Sequence, residues 1–317
     1  TQEIVELMKI TVNQIALALD NAYLFENLNE SLKSCGIAQK KTETYSRTLE
    51  KEFDKCRQLQ QNFLPKHLPS LSGWQIEEFF FPATRVSGDF YDAFILPGGY
   101  WGLVIGDVCD KGVGSALFMA LYRSLIRIFS GQARLSRSQV DTQSQTVGGE
   151  PDSSSSRHYS QVEAMRTVSL TNDYIAQDNE MCMFATLFFA VLDPENGKLF
   201  YINGGHETAF VIDRSGLKER LSPTGPAVGL IPQAKFEFKR VQLQPEDILF
   251  AYTDGVSDAR SINEERFTRK RLISFLSQPV ATAFELMERI GTNLFAHIGK
   301  APQADDITML ALQRKIQ

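Results

Sequence analysis

The first 64 residues contain no proline and a single glycine, Gly36. Apolar side chains at Ile4, Leu7, Met8, Thr11, Ile15, Ala18 and Leu19 recur at helical spacing through this stretch, which predicts helix throughout. From Leu28 a 3-4 spacing continues through Ser31, Cys35, Ala38, Thr42, Tyr45, Leu49, Glu52, Cys56, Leu59 and Phe63. That is the heptad seam of a coiled coil, weakened where Ser31, Thr42 and Glu52 take core positions. So long a helix cannot bury one face against a small core, so the expected partner is a second copy: a homodimer through the N-terminal helix that carries a signal. A helix packed on its own domain is the alternative.

Pro65 and Pro69 end the helix. The expected division is 1–64, long helix, and 65–317, a second region in which strands alternate with helices. Segments 75–81, 102–107, 186–193, 199–203, 209–213 and 248–252 are rich in Phe, Ile, Val and Tyr and are bounded by Gly, Pro and Asp, the composition of strands. Residues 115–129 and 281–297 read as helices. Asp193-Pro-Glu-Asn-Gly197 reads as a hairpin turn in which Asn-Gly supplies positive φ angles. Gln, Ser, Thr and Gly dominate residues 131–160, a composition that predicts a mobile insertion without chemistry.

Composition narrows the function. The chain is 43% hydrophobic, enough for a sizeable core, and its net charge of −5 argues against nucleic-acid binding. Cys35, Cys56, Cys109 and Cys182 lie too far apart for a zinc site, and free thiols fit a cytoplasmic setting. The most apolar run, 182–192, is too short to span a bilayer, so no membrane contact is expected. The chain opens on Thr1 with a polar helical pattern, which suggests a piece cut from a longer protein without a signal peptide.

Acidic strings punctuate the second region: Val86-Ser-Gly-Asp89-Phe-Tyr-Asp92, Val104-Ile-Gly-Asp107-Val-Cys-Asp-Lys-Gly-Val-Gly114, Leu249-Phe-Ala-Tyr-Thr-Asp254-Gly255 and Ala304-Asp305-Asp306-Ile-Thr308. In the second and third an apolar strand delivers the Asp at its C-terminal end, beside a Gly that lets backbone approach closely. In the fourth the acids precede an apolar strand. Each alone is an ordinary turn. If the ends meet, carboxylates share one site, and two of them about 4 Å apart repel by roughly 4 kcal/mol at an effective dielectric of about 20. Protons or cations must neutralise that charge. Oxygen-only ligands select hard ions, Mg²⁺ or Mn²⁺, and two such ions clamp a displacement at phosphorus.

These strings, with Gln60-Gln-Asn-Phe-Leu-Pro65, Phe184-Ala-Thr-Leu-Phe188, Asn203-Gly-Gly-His206 and Thr224-Gly-Pro-Ala-Val-Gly229, occur in the order found in the PPM (protein phosphatase 2C) superfamily. The region from about Pro65 onward resembles its bacterial RsbU/SpoIIE type. The resemblance implies an α/β (α+β) four-layer αββα sandwich with two metals between the sheets, Mn²⁺ or Mg²⁺, a third ion being held weakly if at all. It implies that Asp107 bridges both metals, with the backbone carbonyl of Val108 on one of them. Asp89 is implied as an outer ligand or supporting acid, Asp254 and Asp305 as ligands of one metal, and Asp306 as a ligand or an orienting group. Cys109 and Asp110 depart from the family's usual small residue and Gly, and Asp258 stands near the place of a usual Glu. Residues 15–26 resemble the last helix of a GAF sensor domain.

Arg85 is a candidate for substrate phosphate, because its fork matches phosphate oxygens. Lys111 reads as solvated. His206 stays open between a general acid for the leaving serine oxygen and the anchor of a turn. The resulting expectation is a metal-dependent serine/threonine protein phosphatase acting on a phosphorylated STAS-domain regulator, an anti-sigma factor antagonist, in a partner-switching pathway. Its alternatives are a non-catalytic sensory scaffold and a hydrolase of nucleotides or small phosphoesters.

Overall fold

The computed structural model describes residues 2–131 and 166–316; the expected insertion lies, beyond residue 131, outside the described residues. A single helix, α1 (Gln2–Phe63), opens the chain. The chain divides into compact units at 1–55 and 56–317, so the last turns of α1 belong with the second unit. In the first unit every described residue is exposed, large apolar side chains such as Ile4, Leu7, Leu28 and Leu49 included.

The described residues of the second unit form ten strands: β1 (Trp74–Phe81), β2 (Asp89–Ile95), β3 (Trp101–Val108), β4 (Ala185–Asp193), β5 (Lys198–Gly204), β6 (Ala209–Asp213), β7 (Gly216–Leu221), β8 (Lys239–Gln242), β9 (Ile248–Tyr252) and β10 (Ile307–Arg314). They form two five-stranded antiparallel sheets, β1-β10-β9-β6-β7 and β2-β3-β4-β5-β8. Helices α2 (Val113–Phe129) and α3 (Thr167–Gln177) pack on the second sheet. Helices α4 (Asp254–Asp258), α5 (Arg269–Leu276) and α6 (Ala283–Ile298) pack on the first.

Strand alternation builds this layering. On β3, Val104 and Val108 enter the core under α2, while Leu103 and Ile105 enter the core between the sheets. On β9, Phe250 and Tyr252 meet the helices and Leu249 and Ala251 meet the other sheet. Strands with apolar residues on both faces must be covered on both faces, and the result is the expected four-layer αββα order. The buried row Ala283, Leu286, Met287, Ile290, Leu294 and Ile298 gives α6 its core face. Its start is fixed by a capping exchange: Thr282 Oγ1 accepts from the Glu285 amide at 3.1 Å, and the Glu285 carboxylate accepts from the Ala281 amide at 3.1 Å.

The hairpin between β4 and β5 closes differently from the expectation. Only Gly197 takes a positive φ, 78°. Asn196 instead uses its side chain, which donates to Asp193 at 2.8 Å and accepts from the Lys198 amide at 2.8 Å.

Candidate active site

The alternation that fills the inter-sheet core also aims the acids. Asp107 follows Leu103 and Ile105 in the row facing the opposite sheet, and on β2 Asp89 begins the row that Tyr91 and Ala93 continue. Asp89 and Asp107 are direct cross-strand partners, and Thr186 of β4 is Asp107's partner on the other side. From the first sheet come Thr253, just after β9, and Thr308 of β10. Both hydroxyls donate to Oδ2 of Asp89, at 2.7 and 2.5 Å. Asp89, 2% exposed, therefore stitches one sheet to the other. Burial, and then the neighbouring Asp107 charge, hold its carboxyl well above the usual range, while the two hydroxyls oppose that rise.

Asp254 opens α4 immediately after Thr253. The next residue must be glycine, because a Cβ on Gly255 would lie 1.8 Å from the carbonyl oxygen of Asp306. That close approach seats Asp254 beside the 305–306 loop. Burial and the Asp305 charge push Asp254 up to about 6; burial and the Asp254 charge push Asp107 up to about 7. Asp107, Asp254 and Asp305 thus act on one another electrostatically, as converging strand ends require.

The remaining acids have protein partners. Asp306 accepts from the Ala83 amide at 2.7 Å and from the Gly88 amide at 3.1 Å, which fixes the loop entering β2. Asp305 accepts from the Asp306 amide at 2.9 Å and pairs with Lys111 at 3.0 Å. Lys111 is exposed, as expected of a solvated side chain, and also pairs with this cluster. Among the described residues, no three Asp, Glu, His or Cys groups already form a closed metal cage.

The donor set nevertheless fits a hard cation at one corner. A Cβ on Gly88 would lie 2.7 Å from the carbonyl oxygen of Val108 and 3.3 Å from Oδ1 of Asp107. The missing side chain lets the Gly88 backbone pack against both oxygens, which therefore lie close together among carboxylates that raise the proton affinity of Asp107.

Asp110 fits the position where the family usually has Gly. It adopts φ 69°, the left-handed conformation that Asp tolerates better than most residues, and its carboxylate accepts from the Lys111 amide at 2.8 Å. Asp258 pairs with Arg266 at 3.3 Å and adds to the rise at Asp254.

His206 is 3% exposed. Its Nδ1 lies 2.9 Å from Thr186 Oγ1 and its amide donates to Asn203 Oδ1 at 2.8 Å. Burial lowers it to about 4, so the ring is neutral at pH 7 and ties the Asn203–His206 turn to β4. Arg85 is exposed on the loop leading to Asp89.

Sequence reasoning did not single out the hydroxyls of Thr253 and Thr308, or Gln60. Gln60 is buried at the end of α1; its Oε1 accepts from the Ser87 amide at 2.9 Å and its Nε2 donates to the Ser87 carbonyl. All three stand inside the quoted strings, but only long-range pairing shows what they hold.

Residues 97–315 match the sequence profile of the Stage II sporulation protein E (SpoIIE) family. The chain belongs to this family. Protein IcfG of Synechocystis sp. is 47% identical over 264 residues, 83% of this chain and 41% of IcfG. Phosphoserine phosphatase RsbU of Bacillus subtilis is 22% identical over 323 residues, 99% of this chain and 87% of RsbU. Among solved structures, the SiaA-PP2C domain of Pseudomonas aeruginosa shares the fold, with a TM-score of 0.61 and 20% identity over 84% of this chain and 98% of that domain. The chain thus spans under half the length of IcfG. No helix of the described residues is long and apolar enough to cross a membrane.

Proposed function

We propose that this SpoIIE-family chain is a metal-dependent serine/threonine protein phosphatase. The observation that carries the reading is the corner where Asp107 and the Val108 carbonyl lie together against Gly88, with Asp254 and Asp305 acting on Asp107. Asp107, Val108, Asp254 and Asp305 are the residues to hold Mn²⁺ or Mg²⁺. A pair of such ions, when bound, supplies Lewis acidity toward water and the phosphoryl oxygens. Asp89 keeps Asp107 in line by joining the two sheets through Thr253 and Thr308, and Asp306 holds the entering loop through the Ala83 and Gly88 amides. Both remain candidate outer ligands. Arg85, exposed beside that loop, is the candidate for the substrate's phosphate. A neutral, buried His206 suits a positioning role better than proton donation.

RsbU, named a phosphoserine phosphatase, supports phosphoserine on a partner protein as the substrate, with a STAS-domain regulator as the proposed partner. The unpaired apolar side chains of α1 support a homodimer through that helix, relaying the state of an upstream GAF-like sensor. The test is release of phosphate from a phosphoserine protein with Mn²⁺, with Mg²⁺ and in chelator. Activity is expected only with the metal and is expected to be lost in Asp107→Asn, with the fold retained. Full activity in excess chelator refutes the metal mechanism. Phosphoprotein binding without turnover under any metal condition favours a scaffold.

A further inference from the structure

The loop between β3 and α2 brings a positive charge to the acid cluster. The Lys111 ammonium lies 3.0 Å from Oδ2 of Asp305 and donates to the Ala304 carbonyl at 2.6 Å. Its charge also acts on Asp254. The loop is shaped to deliver it: Asp110 takes its left-handed turn immediately before, accepting from the Lys111 amide, and Gly112 follows with φ 95°. The lysine side chain is about half exposed, 48%, so no packing obliges it to stay there.

We propose that Lys111 is a displaceable countercation: its ammonium occupies Asp305 in the metal-free protein, and a divalent cation has to take that carboxylate from it. The proposal rests on reading Asp305 as a cation ligand. The physical ground is charge balance. Asp107, Asp254 and Asp305 act on one another without a buried cation among them in the described residues, and an ammonium on a flexible stem is a point charge that can leave as easily as it arrives. A divalent ion brings more charge and more coordination to the same oxygen, so the two compete. Lys111 then sets the metal concentration at which the site fills. It also holds the 109–112 and 304–305 loops together before that point.

The experiment is Mn²⁺ titration by calorimetry on the whole chain, wild type against Lys111→Met and Lys111→Arg, with circular dichroism in chelator to confirm the fold. Lys111→Met is expected to bind Mn²⁺ about three- to fivefold more tightly, the size of a partly exposed ion pair. Lys111→Arg is expected to return to the wild-type affinity. In an Asp305→Asn background, Lys111→Met is expected to change nothing, because the competition needs the carboxylate. Unchanged or weaker Mn²⁺ affinity in Lys111→Met overturns the proposal, leaving Lys111 a loop staple through Ala304. An equal gain in the Asp305→Asn background also overturns it, since the effect is then a general field rather than an exchange at Asp305. Wild-type protein that takes up no Mn²⁺ overturns the metal site itself, an outcome distinct from Mn²⁺ binding that Lys111 does not influence.

Discussion

Asp107→Asn is expected to stabilise the metal-free protein while abolishing its phosphatase activity, and the gain is expected to depend on pH. The folded chain holds Asp107 at about 7 against 3.8 for the free side chain, through burial and then the Asp254 charge. The folded state therefore keeps a proton that the unfolded state has lost, and metal-free stability declines as pH rises from about 4 to about 7. The full shift is worth roughly 4 kcal/mol at pH 8, and about half of that after allowing for the site's partial exposure. Replacing the carboxylate with a neutral amide removes this penalty: about 2 kcal/mol at pH 8 and under about 1 kcal/mol at pH 5. Urea unfolding in chelator at the two pH values, followed by circular dichroism, measures the difference. Adding Mn²⁺ at about a hundred times its Kd is expected to stabilise wild type by about 2.7 kcal/mol and the variant by much less. A variant less stable than wild type at pH 8, or a wild-type stability flat between pH 5 and 8, refutes the reasoning that these acids are left uncompensated.

Gly255→Ala is expected to cost about 3 kcal/mol or more, because the new Cβ falls 1.8 Å from the Asp306 carbonyl and the 305–306 loop must move. Thermal unfolding checks the cost, and Mn²⁺ titration is expected to show weakened binding in parallel. Light scattering at micromolar concentration is expected to give a dimer for the whole chain and a monomer for a chain starting at Cys56, where the second compact unit begins; a monomeric whole chain refutes the coiled-coil reading.

What sequence could show followed from whether the determining forces were local. The apolar runs of β3 and β9 announced themselves, and with them the positions of Asp107 and Asp254 at their ends. β2 did not read as a strand, because Asp89 and Asp92 are poor strand residues. Asp92 is fully buried there because Arg123 and Arg127 reach it from α2 at 2.8 and 2.5 Å, partners a local pattern cannot supply. β7 and β8 carry Lys, Arg and Glu and were passed over; they lie at the outer ends of the two sheets, where charge is tolerated. The short helix α5 starts at a Thr268 cap with too few residues for a clear period.

The same division runs through the site. The four acidic strings look alike in sequence, yet their side chains separate into two kinds once the sheets close. Asp89 and Asp306 accept from hydroxyls and amides of neighbouring strands and loops and so hold the fold together, while burial and the Asp107 charge still keep the Asp89 carboxyl above its usual range. Asp254 and Asp305 raise the proton affinity of Asp107, and Asp305 that of Asp254, which is the signature of charge that the protein itself leaves unbalanced. Asp305 stands between, balanced by one flexible lysine. Stability alone gives no reason to bury carboxylates against one another, as Asp89, Asp107 and Asp254 are. The cluster is therefore where a cation from solution has most to gain, and the hydrogen bonds of Asp89 and Asp306 are what hold its surroundings in place.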